Sequence, residues 1–179
     1  MKHIITAILL LIFLLLAGYS IYQVTQFNQT PDDNQPVETH QHPINNQNIG
    51  DVTIENLKGE KLKLKTQLKH DITVINVWAS WCGPCNEEMP ELVKFDQEKP
   101  NHIGLLGMNV QDEPHKRDAF IQKYHAQYPM IMLDEKQMKQ YKIYNIPTTL
   151  FVNKEGKVLK TYVGELNSSK LNIILKEFK

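Results

Sequence analysis

Near the middle of the chain, a β-branched run leads directly into a pair of cysteines, in the segment Ile72-Thr73-Val74-Ile75-Asn76-Val77-Trp78-Ala79-Ser80-Trp81-Cys82-Gly83-Pro84-Cys85. The first half is typical of a buried strand. The second half predicts a helix beginning near Pro84, because proline in the first helical turn has no N–H to lose. Cys82 would then lie at the positive end of the helix dipole, which favours its thiolate. Cys85, one turn further on, is placed to attack a mixed disulfide formed by Cys82.

Two other roles for the cysteine pair are a structural disulfide and half of a zinc site. A bridge that closes so short a loop stabilises a fold little. A structural zinc ion needs four ligands, and the chain has only two cysteines. The candidate histidines are scattered without the spacing of a zinc finger: His70, His102, His115 and His125. The sequence therefore favours redox chemistry and predicts no metal site.

The composition excludes several classes of protein. A chain of 179 residues with 41% hydrophobic residues has room for one domain with its own core and an accessory segment. Twenty basic residues balance twenty acidic ones. Nucleic acid is therefore not expected as a partner, because phosphate binding needs a clustered excess of cations.

The N-terminal residues 1–24 are predicted to be a membrane anchor or a signal sequence. Between Lys2 and Asp32 there is no Asp, Glu, Lys or Arg, and the apolar run is about the 20 residues that a transmembrane helix needs. Its densest part also fits the apolar region of a signal peptide. No Ala-x-Ala cleavage site follows the run, which favours an uncleaved anchor.

Lys2 favours a single-pass orientation with a cytoplasmic N-terminus. The rest of the chain would then lie outside the cytoplasm at the cell membrane, or be secreted if residues 1–24 are removed. Residues 25–48 are rich in Gln, Asn, Asp and Pro and predict a flexible polar linker. Residues 49–179 are the predicted extracytoplasmic domain.

The domain alternates strand-like and helix-like segments, which predicts an α/β fold with a central mixed β-sheet flanked by helices. The expected strands are 52–55 and 61–65, forming an N-terminal β-hairpin, followed by 72–78, 103–110, 129–133, 148–152 and 157–163. The expected helices are 84–99, with a kink at Pro90, 114–127, 136–141 and a last helix capped by Asn167 or Ser168.

The segment from Trp78 to Cys85, together with the downstream Ile146-Pro147-Thr148, resembles the thioredoxin superfamily. The resemblance implies a thioredoxin-like fold in which Pro147 follows a cis peptide bond and packs against the cysteines. It also implies that substrate contacts the framework around the pair: Trp81, Gly83, Pro84, Pro147 and Thr148. Trp78 and Trp81 are expected to form apolar walls of the site.

Three features differ from an ordinary thioredoxin and resemble the TlpA/ResA-like group of membrane-anchored, extracytoplasmic thiol-disulfide oxidoreductases. One is the N-terminal anchor. Another is the long stretch from Val110 to Pro147, which has room for an extra helix and strand. The third is Asn76, which stands where a thioredoxin has a buried, proton-transferring Asp and which cannot titrate. Glu88, one turn after Cys85, is the candidate to handle the proton instead, whereas Glu87 fits a solvated carboxylate.

The resemblance implies a protein disulfide reductase that needs no cofactor. Its substrates would be disulfide-bearing exported proteins, for example apocytochrome c in cytochrome maturation, and its electron donor a membrane thiol-transfer protein. A monomer is expected. Gly83-Pro84 favours the reducing direction, but the same fold serves thiol oxidases and disulfide isomerases. Two further alternatives are a metal or haem chaperone that uses the cysteines as ligands and a non-catalytic scaffold domain.

Overall fold

The computed structural model describes residues 2–27 and 41–178. These belong to two compact units, Met1–Gln35 and Pro36–Lys179. The middle of the predicted linker, residues 28–40, lies outside the described residues.

The first unit contains one helix, α1 (Lys2–Phe27). Its stretch His3–Gln23 is long and apolar enough to cross a membrane. Twenty-one residues rise about 32 Å as a helix, which matches a hydrocarbon core of about 30 Å. The leucine and isoleucine side chains of this stretch are exposed within the unit, so its surface needs an apolar environment. The prediction of one N-terminal apolar helix that could span a membrane is confirmed.

The second unit is built on a seven-stranded sheet. Its strands are β1 (Thr53–Asn56), β2 (Lys61–Lys63), β3 (Ile72–Trp78), β4 (Ile103–Val110), β5 (Met130–Leu133), β6 (Thr148–Asn153) and β7 (Val158–Val163). Its helices are α2 (Gly83–Glu98), α3 (Pro114–Tyr124), α4 (Glu135–Gln140) and α5 (Ser168–Lys176), with a 3-10 helix at Leu64–Thr66.

The strand order β2-β1-β5-β4-β3-β6-β7 makes the sheet mixed. Strand β3 pairs parallel with β4 and antiparallel with β6, and β4 pairs parallel with β5. The outer pairs β1–β2 and β6–β7 are antiparallel. All seven residues of β3 are buried, as the β-branched run predicts. The predicted mixed sheet with an N-terminal hairpin is confirmed, and the cysteine pair follows the carboxyl end of an interior strand.

Both faces of the sheet are covered. One core joins the sheet to α2, α3 and α5 through apolar side chains such as Met89, Leu92, Phe120, Leu171 and Ile174. The other core includes residues that precede β3 and Met138 of α4. The predicted cap of α5 is confirmed, because the Asn167 side chain accepts a hydrogen bond from the Lys170 N–H.

The extra segment predicted between Val110 and Pro147 contains α3 and β5. Strand β5 lies between β4 and β1, and it pairs parallel with β4 and antiparallel with β1. It thereby joins the N-terminal hairpin to the rest of the sheet.

Two elements end two or more residues earlier than predicted. The strand predicted at 61–65 ends at Lys63, because the chain then turns into the 3-10 helix and buries Leu64 completely. Helix α3 ends at Tyr124 rather than 127, because His125 takes a left-handed conformation with φ 54°. Helix α2 runs to Glu98 through Pro90 without a break.

Part of the predicted linker, residues 41–48, packs on the folded unit. The Asn46 N–H donates to the Val158 carbonyl at 2.8 Å, and the Val158 N–H donates to the Gln47 carbonyl at 2.9 Å. Ile44 is buried with 1% of its surface exposed. The folded unit therefore begins before the predicted boundary at residue 49. The sequence could not predict this packing, because a short polar segment that pairs with a distant strand through its backbone has no periodic pattern of apolar residues.

Gly50, just after this N-terminal segment, packs closely on the β6–β7 turn and makes Gly156 sensitive to substitution. Gly156 has φ +89°, and a Cβ there would lie 2.7 Å from backbone atoms of Gly50. We expect Gly156→Ala to lower the free energy of unfolding by about 2 kcal/mol or more, since left-handed strain and overpacking each cost about 1–2 kcal/mol. Urea unfolding of the full chain in detergent micelles, followed by tryptophan fluorescence, measures this loss.

Gly59→Ala is the matched control. Gly59 has a similar φ of +83°, but the nearest atom to its Cβ would be a side-chain oxygen at 3.5 Å. It should show the strain alone, about 1 kcal/mol. Equal losses in the two variants would contradict the close approach at Gly156.

Candidate active site

The cysteine pair lies where the chain passes from β3 into α2. Cys82 is the N-cap residue of α2, with extended backbone angles. Its sulfur is bonded to the Cys85 sulfur at 2.07 Å and accepts a hydrogen bond from the Cys85 N–H at 3.2 Å. The two residues are 5% and 2% exposed. After reduction, this backbone donor and the helix dipole both stabilise negative charge on the Cys82 sulfur.

The surface around the pair is open on the side of Trp81, Gly83 and Pro84. All three residues are exposed, and a Cβ at Gly83 would meet no atom of the described residues within 4 Å. The Trp81 indole is held in place, since its Nε1–H donates to the Gln111 carbonyl at 3.0 Å. Substrate can therefore approach the disulfide from this side.

Trp78 does not line this surface with Trp81, contrary to the sequence expectation. It is fully buried, and its ring stacks on Phe120 with 4.7 Å between the ring centroids. Because Trp78 is the last residue of the interior strand β3, its side chain packs into the core under α3.

The segment around Pro147 lies beside the cysteines. The Ile146–Pro147 peptide bond is cis, and the Ile146 carbonyl oxygen lies 3.7 Å from the Cys82 sulfur although the two residues are 64 positions apart. Thr148 is buried at the start of β6, and its hydroxyl donates to the Asn145 carbonyl at 2.6 Å. The structure thus brings the cis peptide bond before Pro147 close to Cys82.

Glu88 lies on the buried face of α2, one turn after Cys85. Only 1% of its surface is exposed, whereas the neighbouring Glu87 is exposed. One carboxyl oxygen of Glu88 accepts a hydrogen bond from the Asn76 amide at 2.7 Å. The other, Oε2, is buried and has no hydrogen-bond partner among the described residues. A charged carboxylate would be poorly solvated in this place.

This environment raises the pKa of the Glu88 carboxyl to about 8. The main cause is loss of water on burial, which disfavours the charged form. The Leu166 N–H, which lies near the carboxyl without reaching normal hydrogen-bond geometry, and the charge of Lys170 lower the pKa in part, while the charge of Glu165 raises it further. In the disulfide form of the protein, Glu88 is therefore mainly protonated at neutral pH.

Asn76 fixes the position of Glu88 from the sheet. It is buried in β3, and its amide also donates to the Thr149 hydroxyl of the neighbouring strand β6 at 3.2 Å. An amide cannot exchange protons at these pH values. The site thus has a buried titratable carboxyl group one turn after Cys85, carried by α2 and oriented by the sheet.

The arrangement can carry out disulfide exchange with proton transfer. Cys82 is the sulfur nearer the open surface, and a dipole-stabilised thiolate is the nucleophile in such exchange. Cys85 is buried and shares its helix face with Glu88. A carboxyl group with a pKa near neutrality can both give and take a proton.

Sequence reasoning missed the side chains that hold the loop before Cys82. The Asp112 carboxylate accepts hydrogen bonds from Ser80, which is 32 positions earlier. The Asn86 amide donates to the carbonyls of Ser80 and Cys82. The one signal in the sequence was that Asp112 follows β4, whose carboxyl end lies at the same sheet edge as that of β3.

The raised pKa of Glu88 predicts a pH-dependent stability. Its proton is bound more tightly in the folded than in the unfolded protein, so the stability it contributes is complete below pH about 4.5 and is lost as the pH rises through about 8. We expect the oxidised protein to lose on the order of 4 kcal/mol between pH 5 and 9. In Glu88→Gln this loss should disappear. Urea unfolding at a series of pH values measures it.

Glu87→Gln, which removes the same charge from an exposed neighbour, is the control and should keep the wild-type pH dependence. If Glu88→Gln and wild type had parallel pH profiles, Glu88 would not carry the raised pKa.

One protein family matches most of the folded unit. The Redoxin family matches residues 44–175 of the chain. This range includes the cysteine pair, Glu88 and Pro147, and its first residue, Ile44, is the buried residue that precedes the predicted domain boundary.

The chain is also similar to individual proteins. It is 26% identical over 121 residues to the thiol-disulfide oxidoreductase ResA of Bacillus subtilis, covering 66% of this chain and 67% of that protein. It is 25% identical over 175 residues to the thioredoxin-like protein YneN of the same organism, covering 96% and 95%. The crystal structure of Bacillus subtilis StoA matches with a TM-score of 0.56 and 25% identity, over 69% of this chain and 94% of StoA.

The family match, these relatives and the disulfide-bonded pair at the start of α2 lead to one conclusion: the chain belongs to the redoxin family, within the thioredoxin superfamily, as a thiol-disulfide oxidoreductase of the ResA type with Cys82 and Cys85 as its cysteine pair.

Proposed function

We propose that the protein is a membrane-anchored, extracytoplasmic disulfide reductase that acts on exported proteins. The observation that carries the proposal is the buried, protonated Glu88 one turn behind Cys85. Keeping this buried carboxyl group protonated lowers the free energy of unfolding at neutral pH. The group can serve catalysis, however, if Cys85 must gain and lose a proton in each cycle.

In the first step, the Cys82 thiolate of the reduced protein attacks a disulfide of the substrate. A bond forms between the Cys82 sulfur and one substrate sulfur, and the other substrate sulfur leaves as a thiolate. The mixed disulfide lies against the Ile146 carbonyl, 3.7 Å from the Cys82 sulfur. The exposed side chain of Trp81, 58% exposed, supplies apolar surface for the substrate polypeptide.

In the second step, Cys85 resolves the mixed disulfide. Glu88 in its ionised form accepts the thiol proton of Cys85, and the Cys85 sulfur attacks Cys82. The bond between Cys82 and the substrate breaks, and the second substrate sulfur leaves as a thiolate. Two electrons have then passed to the substrate disulfide, and Glu88 is left protonated. This is the protonation state that its environment favours in the disulfide form.

Recharging runs the same chemistry in reverse with a membrane thiol-transfer protein as the donor. A donor thiolate attacks the Cys82 sulfur, Cys85 leaves as a thiolate, and Glu88 returns its proton. A second donor thiol then attacks the mixed disulfide, so the donor is oxidised to a disulfide and Cys82 leaves as a thiolate. The apolar stretch His3–Gln23 would hold the monomeric protein at the membrane where such a donor resides, with Lys2 on the cytoplasmic side.

The resemblance to TlpA/ResA-like proteins supports exported substrates, with the cysteines of apocytochrome c as an example. Gly83-Pro84 supports the reducing direction. The metal or haem chaperone is the weaker candidate, because the cysteines are only 5% and 2% exposed and a ligand would need both sulfurs.

A trapping experiment tests the proposal. In Cys85→Ser, the mixed disulfide can form through Cys82 but cannot be resolved, so we expect protein adducts on a non-reducing gel of membranes that disappear on reduction. The reason is that the resolving thiol is replaced by a hydroxyl that does not exchange with disulfides.

Cys82→Ser is the control, and it should trap far less because Cys85 is buried behind Cys82. If neither variant formed adducts, disulfide exchange with exported proteins would be refuted. Adducts through Cys85 alone would reverse the assigned roles of the two cysteines.

A further inference from the structure

The loop between β3 and α2 is held mainly by side chains. Ala79, Ser80 and Trp81 form neither strand nor helix, yet they set the position of the adjoining Cys82. We propose that Asp112, in the turn between β4 and α3, is a positioning residue that holds this loop in the conformation needed for attack by Cys82. The inference rests on the proposed exchange chemistry and assigns a further residue to it.

The Asp112 carboxylate is the centre of a hydrogen-bond cluster. Its Oδ2 accepts from the Ser80 backbone N–H at 2.7 Å and from the Asn109 amide at 3.0 Å. Its Oδ1 accepts from the Ser80 hydroxyl at 2.7 Å. Hydrogen bonds to a carboxylate are about twice as strong as those between neutral groups. The backbone N–H and the hydroxyl of Ser80 are therefore both bound to one side chain.

The same turn holds the next residue of the loop. The Trp81 indole donates to the carbonyl of Gln111, which precedes Asp112. Gln111 has φ 50°, a left-handed conformation that residues other than glycine rarely adopt. Such a backbone persists where its surroundings determine it. Consecutive residues of the turn thus bind consecutive residues of the loop.

The far end of α3 reaches the loop through Asn86. The Asn86 amide donates to the Ser80 carbonyl at 3.2 Å and to the Cys82 carbonyl at 2.8 Å. Its oxygen accepts from the hydroxyl of Tyr124, the last residue of α3, at 3.0 Å. The loop is therefore supported from both ends of α3, by Asp112 just before the helix and by Tyr124 at its end. Asp112 makes the strongest of these contacts.

This support matters for rate, because small errors in the position of a nucleophile are costly. A displacement of about 1 Å can lower a rate by about 100-fold. In Asp112→Ala, the Ser80 N–H, the Ser80 hydroxyl and the Asn109 amide all lose their common acceptor, and the loop gains alternative conformations. Asp112→Asn can keep most of the geometry, since its amide oxygen can accept from the Ser80 N–H while its nitrogen donates to the Ser80 hydroxyl.

The test uses the full-length protein in detergent micelles, reduced beforehand, with insulin as the disulfide probe. We expect Asp112→Ala to lower the second-order rate constant of insulin reduction about tenfold, with Asp112→Asn remaining within about twofold of wild type because it preserves the hydrogen-bond geometry. Acrylamide quenching of Trp81 should rise in the alanine variant only. Asp71→Ala, which removes an exposed carboxylate at the other end of β3, should match wild type.

Three outcomes would overturn the inference: a wild-type rate in Asp112→Ala, an asparagine variant as slow as alanine, or unchanged quenching of Trp81. If Asp112→Ala failed to fold, Ser80→Ala removes one of the three hydrogen bonds and should slow the reaction about threefold. A wild-type rate in that variant would equally contradict the inference. A wild-type protein that does not reduce insulin would instead count against the proposed function, so the two failures are distinguishable.

Discussion

The site depends on a carboxyl group enclosed in the protein interior. Glu88 has one hydrogen-bond donor, Asn76, and one buried oxygen without a partner among the described residues. Ionising it there is unfavourable because water is excluded. The protein therefore holds a proton next to Cys85 at a pH where exposed carboxyl groups have lost theirs. The burial of Glu88 thus lowers the stability of the folded protein at high pH. The same burial gives the site a carboxyl group that can transfer a proton near neutral pH.

The sheet explains how this group is positioned. Strand β3 is buried along its whole length, and it supplies both Asn76 and the loop that leads to the cysteines. Helix α2 then carries Cys85 and Glu88 on one buried face. Pro147 directly precedes β6. Its neighbour Ile146, which lies against Cys82, is 64 positions away from it in the chain. Strand pairing between β3 and β6 therefore assembles the site, and the extra helix α3 supports its loop from outside.

Local patterns in the sequence were enough to predict much of the fold and the position of the cysteine pair. The β-branched run predicted β3, the Cys-Gly-Pro-Cys segment predicted the start of α2, and Asn167 predicted the cap of α5, because these signals act over a few residues. The contact between Ser80 and Asp112 could not be predicted in this way, since it depends on strand order. The pairing of residues 46 and 47 with Val158 was missed for the same reason. Trp78 was misplaced because an aromatic residue at a strand end can face either the core or the solvent.

The direction of electron flow is the central claim, and the reduction potential of the Cys82–Cys85 couple tests it most directly. The full chain in detergent micelles would be equilibrated with graded dithiol and disulfide buffers, and the oxidised fraction read at each potential. We predict a reduction potential of about −270 mV or lower, as in thioredoxin, so that electrons pass to substrate disulfides. A value near about −120 mV, as in a strong oxidant, would contradict it and make the protein a source of disulfides.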